Sequence, residues 1–216
     1  NAGSSRFSDQ DTDFTVFDEP AVRPLSPEKA VDYFRRLVPL LNVQPERFGQ
    51  QMRRDAFTLA AATDQVILER VQRIIGDALA TGEGVSAAAP NVRKILDRAG
   101  VLPAHPQYSE QVVRTNRLES YNVGADEERQ DQDVAETFPV WRYVGIADGR
   151  QRPEHNVHFD RYFPNEVSFA EVRDSVKLSP WNCRCTSIPI DKWDWSSIKS
   201  SGARIAPGYR DVPAMA

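Results

Sequence analysis

The sequence predicts an α+β protein: a mainly helical N-terminal part, then a small α+β module with a short antiparallel sheet. Three observations predict this. From Ser26 to Thr137, apolar residues recur largely at three- and four-residue steps, the period of helices with one buried face. At Phe138 the pattern changes to an aromatic-rich alternation, Phe138-Pro-Val-Trp-Arg-Tyr-Val-Gly-Ile146, which reads as a strand. Short extended pieces and turn chemistry such as Ala147-Asp-Gly149 follow. The expected division is an extended arm over 1–25, a helical region over 26–137, the α+β module over 138–195 and a tail over 196–216.

Each element has a local reason. The arm is rich in Ser, Asp and Pro, and its Phe7, Phe14, Val16 and Phe17 must pack on their own domain or dock on a partner. Ser26-Pro27-Glu28 starts a helix, with Ser as N-cap and Pro at the first position, and the helix stops near Pro39. A long helix is expected over about 51–80. Its stripe is Phe57, Ala60, Ala61, Leu68, Val71, Ile75 and Ala78, with Asp64 as an intruder and a glycine stop at 82–84. Shorter and longer helices follow over about 88–99 and 109–136. The latter carries Arg114, Arg117 and Arg129 among a larger number of acids, the reverse of a DNA-tracking helix. In the module, Pro153 opens a helical turn carrying His155 and His158. Extended segments are expected at 160–163 and 185–190, a short helix at 167–176, and a loosely ordered or partner-docked tail after Trp195.

Bulk properties exclude some roles. The chain has 216 residues, 27 Lys+Arg against 31 Asp+Glu and a formal charge of −4. That is enough chain for a substantial core and gives no strong pull toward nucleic acid. No run of apolar residues is long enough to span a membrane. The polar start without an initiator Met reads as a trimmed product or part of something longer. Two cysteines one residue apart do not make a secreted disulfide framework, and a reducing compartment is expected.

The chemistry concentrates in Asp148-Gly-Arg-Gln-Arg-Pro-Glu-His155-Asn-Val-His158 and Asn182-Cys-Arg-Cys185. Side chains repeat every second residue on an extended segment, so Cys183 and Cys185 point to one side. His155 and His158, three apart, share one face of a helical turn. Together the four offer the ligand number and types of a structural zinc. The alternative is two buried cysteines acting as small hydrophobes, with the histidines hydrogen-bonded to backbone. A third reading is catalytic: Asp148, Arg150, Arg152, Glu154 and His155 supply acid, base and cation as a nuclease- or transferase-like effector would. No glycine-rich phosphate loop accompanies them.

These pieces resemble the Mu F-like minor head proteins of tailed bacteriophages. The matching residues are Arg114-Thr115-Asn116 with Tyr121-Asn-Val-Gly124, then Trp141, then Asp148, Arg150, Arg152 and His155, and finally Pro180-Trp-Asn182-Cys-Arg184-Cys185. The likeness covers about residues 26–191. Many such proteins have a Gly after the His stretch, where this chain has Phe159-Asp160. The resemblance implies a structural, non-enzymatic head-morphogenesis protein. Its partners would be the portal or major capsid protein, with packaged DNA met indirectly, and its place the virion, with host cytoplasm during assembly.

Overall fold

The computed structural model describes residues 27–41, 56–59, 62, 64–101, 107–146, 152–175, 181 and 183–215. The arm, His105 and the motif positions Asp148, Arg150 and Asn182 lie outside the described residues. The architecture is α+β, with helices first and a small antiparallel sheet after them.

Helix α1 (Pro27–Arg36) begins on a proline, whose missing N–H costs nothing there, with Glu28 in its first turn and Arg35 and Arg36 in its last. Strand β1 (Val38–Pro39) follows and pairs in parallel with β2 (Ala56–Phe57). The expected helix over 51–80 is therefore corrected: α2 runs Gln65–Thr81, and Ala56–Phe57 upstream is extended. Asp64, which interrupts the apolar stripe of the sequence, is the reason. Its carboxylate accepts from Val66 N (2.7 Å) and Ile67 N (3.4 Å), an N-cap that starts the helix there. Phe57 still reaches the same core, meeting Phe34 edge-on with ring centroids 5.6 Å apart.

Helix α3 (Val85–Arg98) and the long α4 (Tyr108–Arg129) complete the helical part. Phe34, Leu68, Val71, Ile75, Leu79, Val92, Leu96, Val112 and Val113 form its buried core. The predicted helix over 109–136 is two helices, α4 and α5 (Gln132–Thr137), broken where the Asp131 side chain caps Asp133 N at 3.1 Å. Helix α4 buries Thr115, Ser120, Asn122, Gly124, Asp126 and Arg129 as well as valines. It packs against α1 and α3 and also touches the α+β module. A helix covered on several sides cannot be simply amphipathic, which explains the weak apolar stripe along it.

The sheet has the order β4–β3–β5, both pairings antiparallel, with β3 (Val140–Val144) between β4 (Tyr162–Pro164) and β5 (Thr186–Ile190). Alternation along β3 sorts its side chains. Trp141 and Tyr143 join Phe163, Phe169, Val172 and Cys185 in one cluster, and Val140 joins Trp195 and Val212 in another. Two short helices, α6 (Pro153–Asn156) and α7 (Phe169–Ser175), flank β4 in sequence.

The segment after Trp195 differs from the loose tail expected. Helix α8 (Lys192–Ser200), capped by Asp191 on Trp193 N (2.9 Å) and Asp194 N (2.8 Å), leads into a strap that returns to the sheet. Ala206 N donates to Tyr162 O at 2.7 Å, and Trp195 Nε1 donates to Val212 O at 3.1 Å. The apolar residues Ile205, Ala206 and Val212, scattered among polar ones, carry that packing.

Candidate functional site

Pro153 at the first position opens α6, a single turn that buries His155 to 3 % exposure. The C-x-C segment reaches the same place from the residues just before β5. Cys183 is half-buried and Cys185 is 4 % exposed. His155 Nδ1 lies 3.2 Å from Cys185 Sγ and 3.5 Å from Cys183 Sγ. Cys185 N–H donates to Cys183 Sγ at 3.4 Å. The three ligand atoms all lie within 4.8 Å of one another.

Neighbouring groups hold this arrangement in place. Asn122 on α4 donates to Cys185 O (3.1 Å) and accepts from Thr186 Oγ1 (2.7 Å), fixing the start of β5. Arg152 donates to Trp181 O at 2.8 Å, tying the start of α6 to the residues before the C-x-C pair. Gly145 backs the cluster. A Cβ there would come within 2.3 Å of the Phe159 ring and 3.2 Å of Cys185 Sγ.

The electrostatics follow from packing. The Cys183 thiol is brought down to about 7 by its hydrogen bond with Cys185, against the opposing effect of burial. Cys185 is pushed up by that same contact and by burial. His155 is held below the ordinary imidazole range by burial first and the Arg152 cation second.

His158 does not join the other three ligand atoms. Helix α6 ends at Asn156, so the shared helical face expected for His155 and His158 does not extend that far. The His158 ring instead lies 5.5 Å from Tyr143 and 6.0 Å from Phe163, centroid to centroid. Two residues on, Asp160 takes φ 55°, the left-handed conformation in which Gly is the usual residue and Asp is tolerated. The departure from Gly noted in the sequence therefore keeps the turn.

Burial lowers the His158 pKa, with Arg161 and His155 adding to the effect. As pH falls below about 6.5, the unfolded chain takes up a proton that the folded chain refuses. This contribution to stability is full above that pH and is lost as pH falls through the depressed native pKa. His158→Gln should reduce the fall in urea midpoint between about pH 7.5 and about pH 5.5. An unchanged fall would refute the assignment.

A second group of residues ties the helical part to the module. Glu119, Asn122, Asp126 and Arg129 recur along one side of α4. Glu119 pairs with Arg173 of α7, and Asp126 pairs with Arg129. Asp126 also accepts from Phe169 N with both oxygens at 3.0 Å, at the start of α7. Arg129 Nη1 donates to Ser187 Oγ on β5 at 2.9 Å, and its guanidinium lies 5.3 Å over the Trp141 ring. Asn165 Nδ2 donates to Arg129 O. Of these four α4 residues, only Asn122 lies in a stretch the sequence marks, Tyr121-Asn-Val-Gly124. Their spacing of three, four and three was the available signal, masked by the general acidity of the helix.

The other sequence candidates have internal roles. Trp141 stacks on Phe163 at 4.6 Å and donates to Val167 O at 2.8 Å. Asn116 Nδ2 donates to Val112 O (2.8 Å), its carbonyl accepts from Ser120 Oγ (2.7 Å), and Thr115 is buried. Arg114 pairs with Glu110 at 3.7 Å, and Arg184 is half-buried.

Residues 69–188 match the family of phage Mu protein F like proteins. The chain belongs to that family. Over 179 residues this F-like chain is 28% identical to a protein of Escherichia phage Mu named "Putative capsid assembly protein F", an alignment covering 74% of the chain and 39% of that relative. Over 164 residues it is 24% identical to the "Mu-like prophage FluMu F protein" of Haemophilus influenzae, covering 70% and 38%. The chain thus spans under half the length of these curated relatives. No solved structure matches it. The match contains the α4 motif, Trp141, the His stretch and the C-x-C pair, so the buried cluster and the α4 hub both lie within the family region of this F-like chain. Among the described residues, no helix is long and apolar enough to cross a membrane.

Proposed function

We propose that this chain is a structural, non-enzymatic part of a tailed-phage head-assembly protein. It binds the portal protein, the major capsid protein or both while the head is built, and meets packaged DNA only through them. Its place is the virion, with host cytoplasm during assembly. The name of the phage Mu relative speaks of capsid assembly. The observation that carries the structural reading is where the family motif goes. His155 and Cys185 are in the interior, Arg152 clamps a backbone carbonyl, and Trp141 is wholly buried. Motif residues used this way build a rigid body and leave the outer surface for partners.

An enzymatic role for Arg152, Glu154 and His155 has less support. Arg152 is engaged with Trp181, Glu154 is exposed, and His155 is sealed, whereas a general base must reach its substrate. Co-expression of the full chain with the portal and major capsid proteins of the same phage tests the proposal. Co-sedimentation with procapsids, or co-purification with either partner, is expected. A folded monomer that enters no particle and binds neither partner would overturn it.

A further inference from the structure

We propose that His155 Nδ1, Cys183 Sγ and Cys185 Sγ bind one zinc ion, and that this ion pins the segment leading into β5 onto α6. The inference is independent of head assembly and rests first on distance. Zinc binds sulfur at about 2.3 Å and imidazole nitrogen at about 2.0–2.1 Å, so a tetrahedral site places S and N roughly 3.5 Å apart. Here the two N···S separations are 3.2 and 3.5 Å, and the three atoms lie within 4.8 Å of one another. The ligands already stand at metal-binding separations although the chain brings them from two different elements.

The second observation is how the imidazole is held. His155 Nε2 is buried with no hydrogen-bond partner among the described residues, while Nδ1 faces both thiols. The ring's polar contacts are therefore on the thiol side.

The third observation is the surrounding support. Cys185 N–H points at Cys183 Sγ, the kind of outer contact that favours a thiolate. Asn122 and Arg152 fix the backbone on either side of the C-x-C pair. At Gly145, the lack of a side chain lets the Phe159 ring and Cys185 Sγ pack directly against the backbone, which holds the sulfur in place.

Donor chemistry selects the ion. Two thiolates and an imidazole suit zinc and are poor ligands for calcium or magnesium, which take oxygen. A disulfide between Cys183 and Cys185 would close a strained ring, so the pair is available as two separate ligands. Cys183 is the least buried of the three, and a water or another small ligand would complete a four-coordinate shell.

The test uses the full chain, purified in reducing buffer without chelator or a metal-charged column. Elemental analysis should find stoichiometric zinc. Exchange with cobalt should produce a thiolate-to-cobalt charge-transfer band and the visible bands of a tetrahedral ion. Zinc added to the metal-free protein should protect both cysteines from alkylation. In His155→Gln and Cys183→Ser, zinc affinity should fall by more than about tenfold, since even outer-layer substitutions reach that size. His158→Gln should keep its zinc. Substoichiometric zinc together with no thiolate-to-cobalt band in the folded wild-type chain would overturn the proposal, whether or not the variants fold. So would loss of zinc from His158→Gln with full retention in His155→Gln.

Discussion

Gly124→Ala is expected to destabilise the protein by about 3 kcal/mol, the upper end of the usual range for overpacking a close-packed interior. An alanine Cβ would sit 2.6 Å from Ala30 N, 2.9 Å from Ala30 Cα and 3.1 Å from Ala30 Cβ. Two of those three atoms are backbone, so no rotamer change relieves the overlap, and α1 must lift off α4. That movement strains the polar contacts beside it, Lys29 Nζ to Glu127 O at 3.1 Å and Arg36 to Glu127 at 2.7 Å. Helix propensity acts the other way, favouring Ala over Gly by about 1 kcal/mol. Gly76→Ala on α2 isolates that opposing effect, because its Cβ would meet only the Phe34 ring, at 3.6 Å, an ordinary contact. Urea unfolding should show a lowered midpoint for Gly124→Ala and an unchanged or raised one for Gly76→Ala. Adding Ala30→Gly should recover little, since the backbone overlap remains. Equal losses in the two single variants would refute the close-approach argument.

Gly124 also illustrates what could be read from the sequence. It lies in the Tyr121-Asn-Val-Gly124 stretch quoted for the family resemblance, but its neighbour Ala30 lies 94 positions earlier (124 − 30), and no local pattern announces such a contact. Local chemistry carried the fold class: the change from helical to strand period at Phe138 places the sheet where β3 lies. Boundaries failed where one polar residue had two readings. Asp64 interrupts an apolar stripe and Asp131 lies within one continuous helical stretch, yet both are N-caps that start or divide helices. At the candidate site, the C-x-C alternation and the position of His155 were legible because they depend on neighbouring residues. The direction of His158 was not, because it depends on where a one-turn helix stops and on the aromatic surface of Tyr143 and Phe163 beside it. The α4 hub was the least legible. Acids and an arginine on a helix are most often solvated, and only the module packed over them makes them buried partners.

Removing one member of that hub should have the largest effect of any substitution discussed. Arg129→Ala is expected to cost about 3–5 kcal/mol, the usual cost of breaking a buried ion pair from one side. The loss has several components: Asp126 loses its counter-charge, Ser187 Oγ loses its donor, and Trp141 loses the guanidinium over its ring. Asp126→Ala should cost a similar amount by leaving the guanidinium buried alone and taking the acceptor from Phe169 N at the start of α7. The double variant Arg129→Leu with Asp126→Ala should be less destabilised than the sum of the singles, because neither charge is then stranded. Burial already pushes the Asp126 carboxyl up and the Arg129 guanidinium down in the native protein, so both charges are held at a cost that each offsets for the other. Without Arg129, the Asp126 pKa must rise further. A carboxyl whose folded pKa exceeds its unfolded value of about 3.9 takes up its proton more readily when folded. Stability of Arg129→Ala relative to wild type should therefore recover as pH falls from the variant's Asp126 pKa to the lower, though still raised, Asp126 pKa of the wild type. Urea midpoints of both proteins across that acid range measure the effect directly. A gap that stays constant or widens as pH falls would mean that the stranded carboxylate is not the source of the loss.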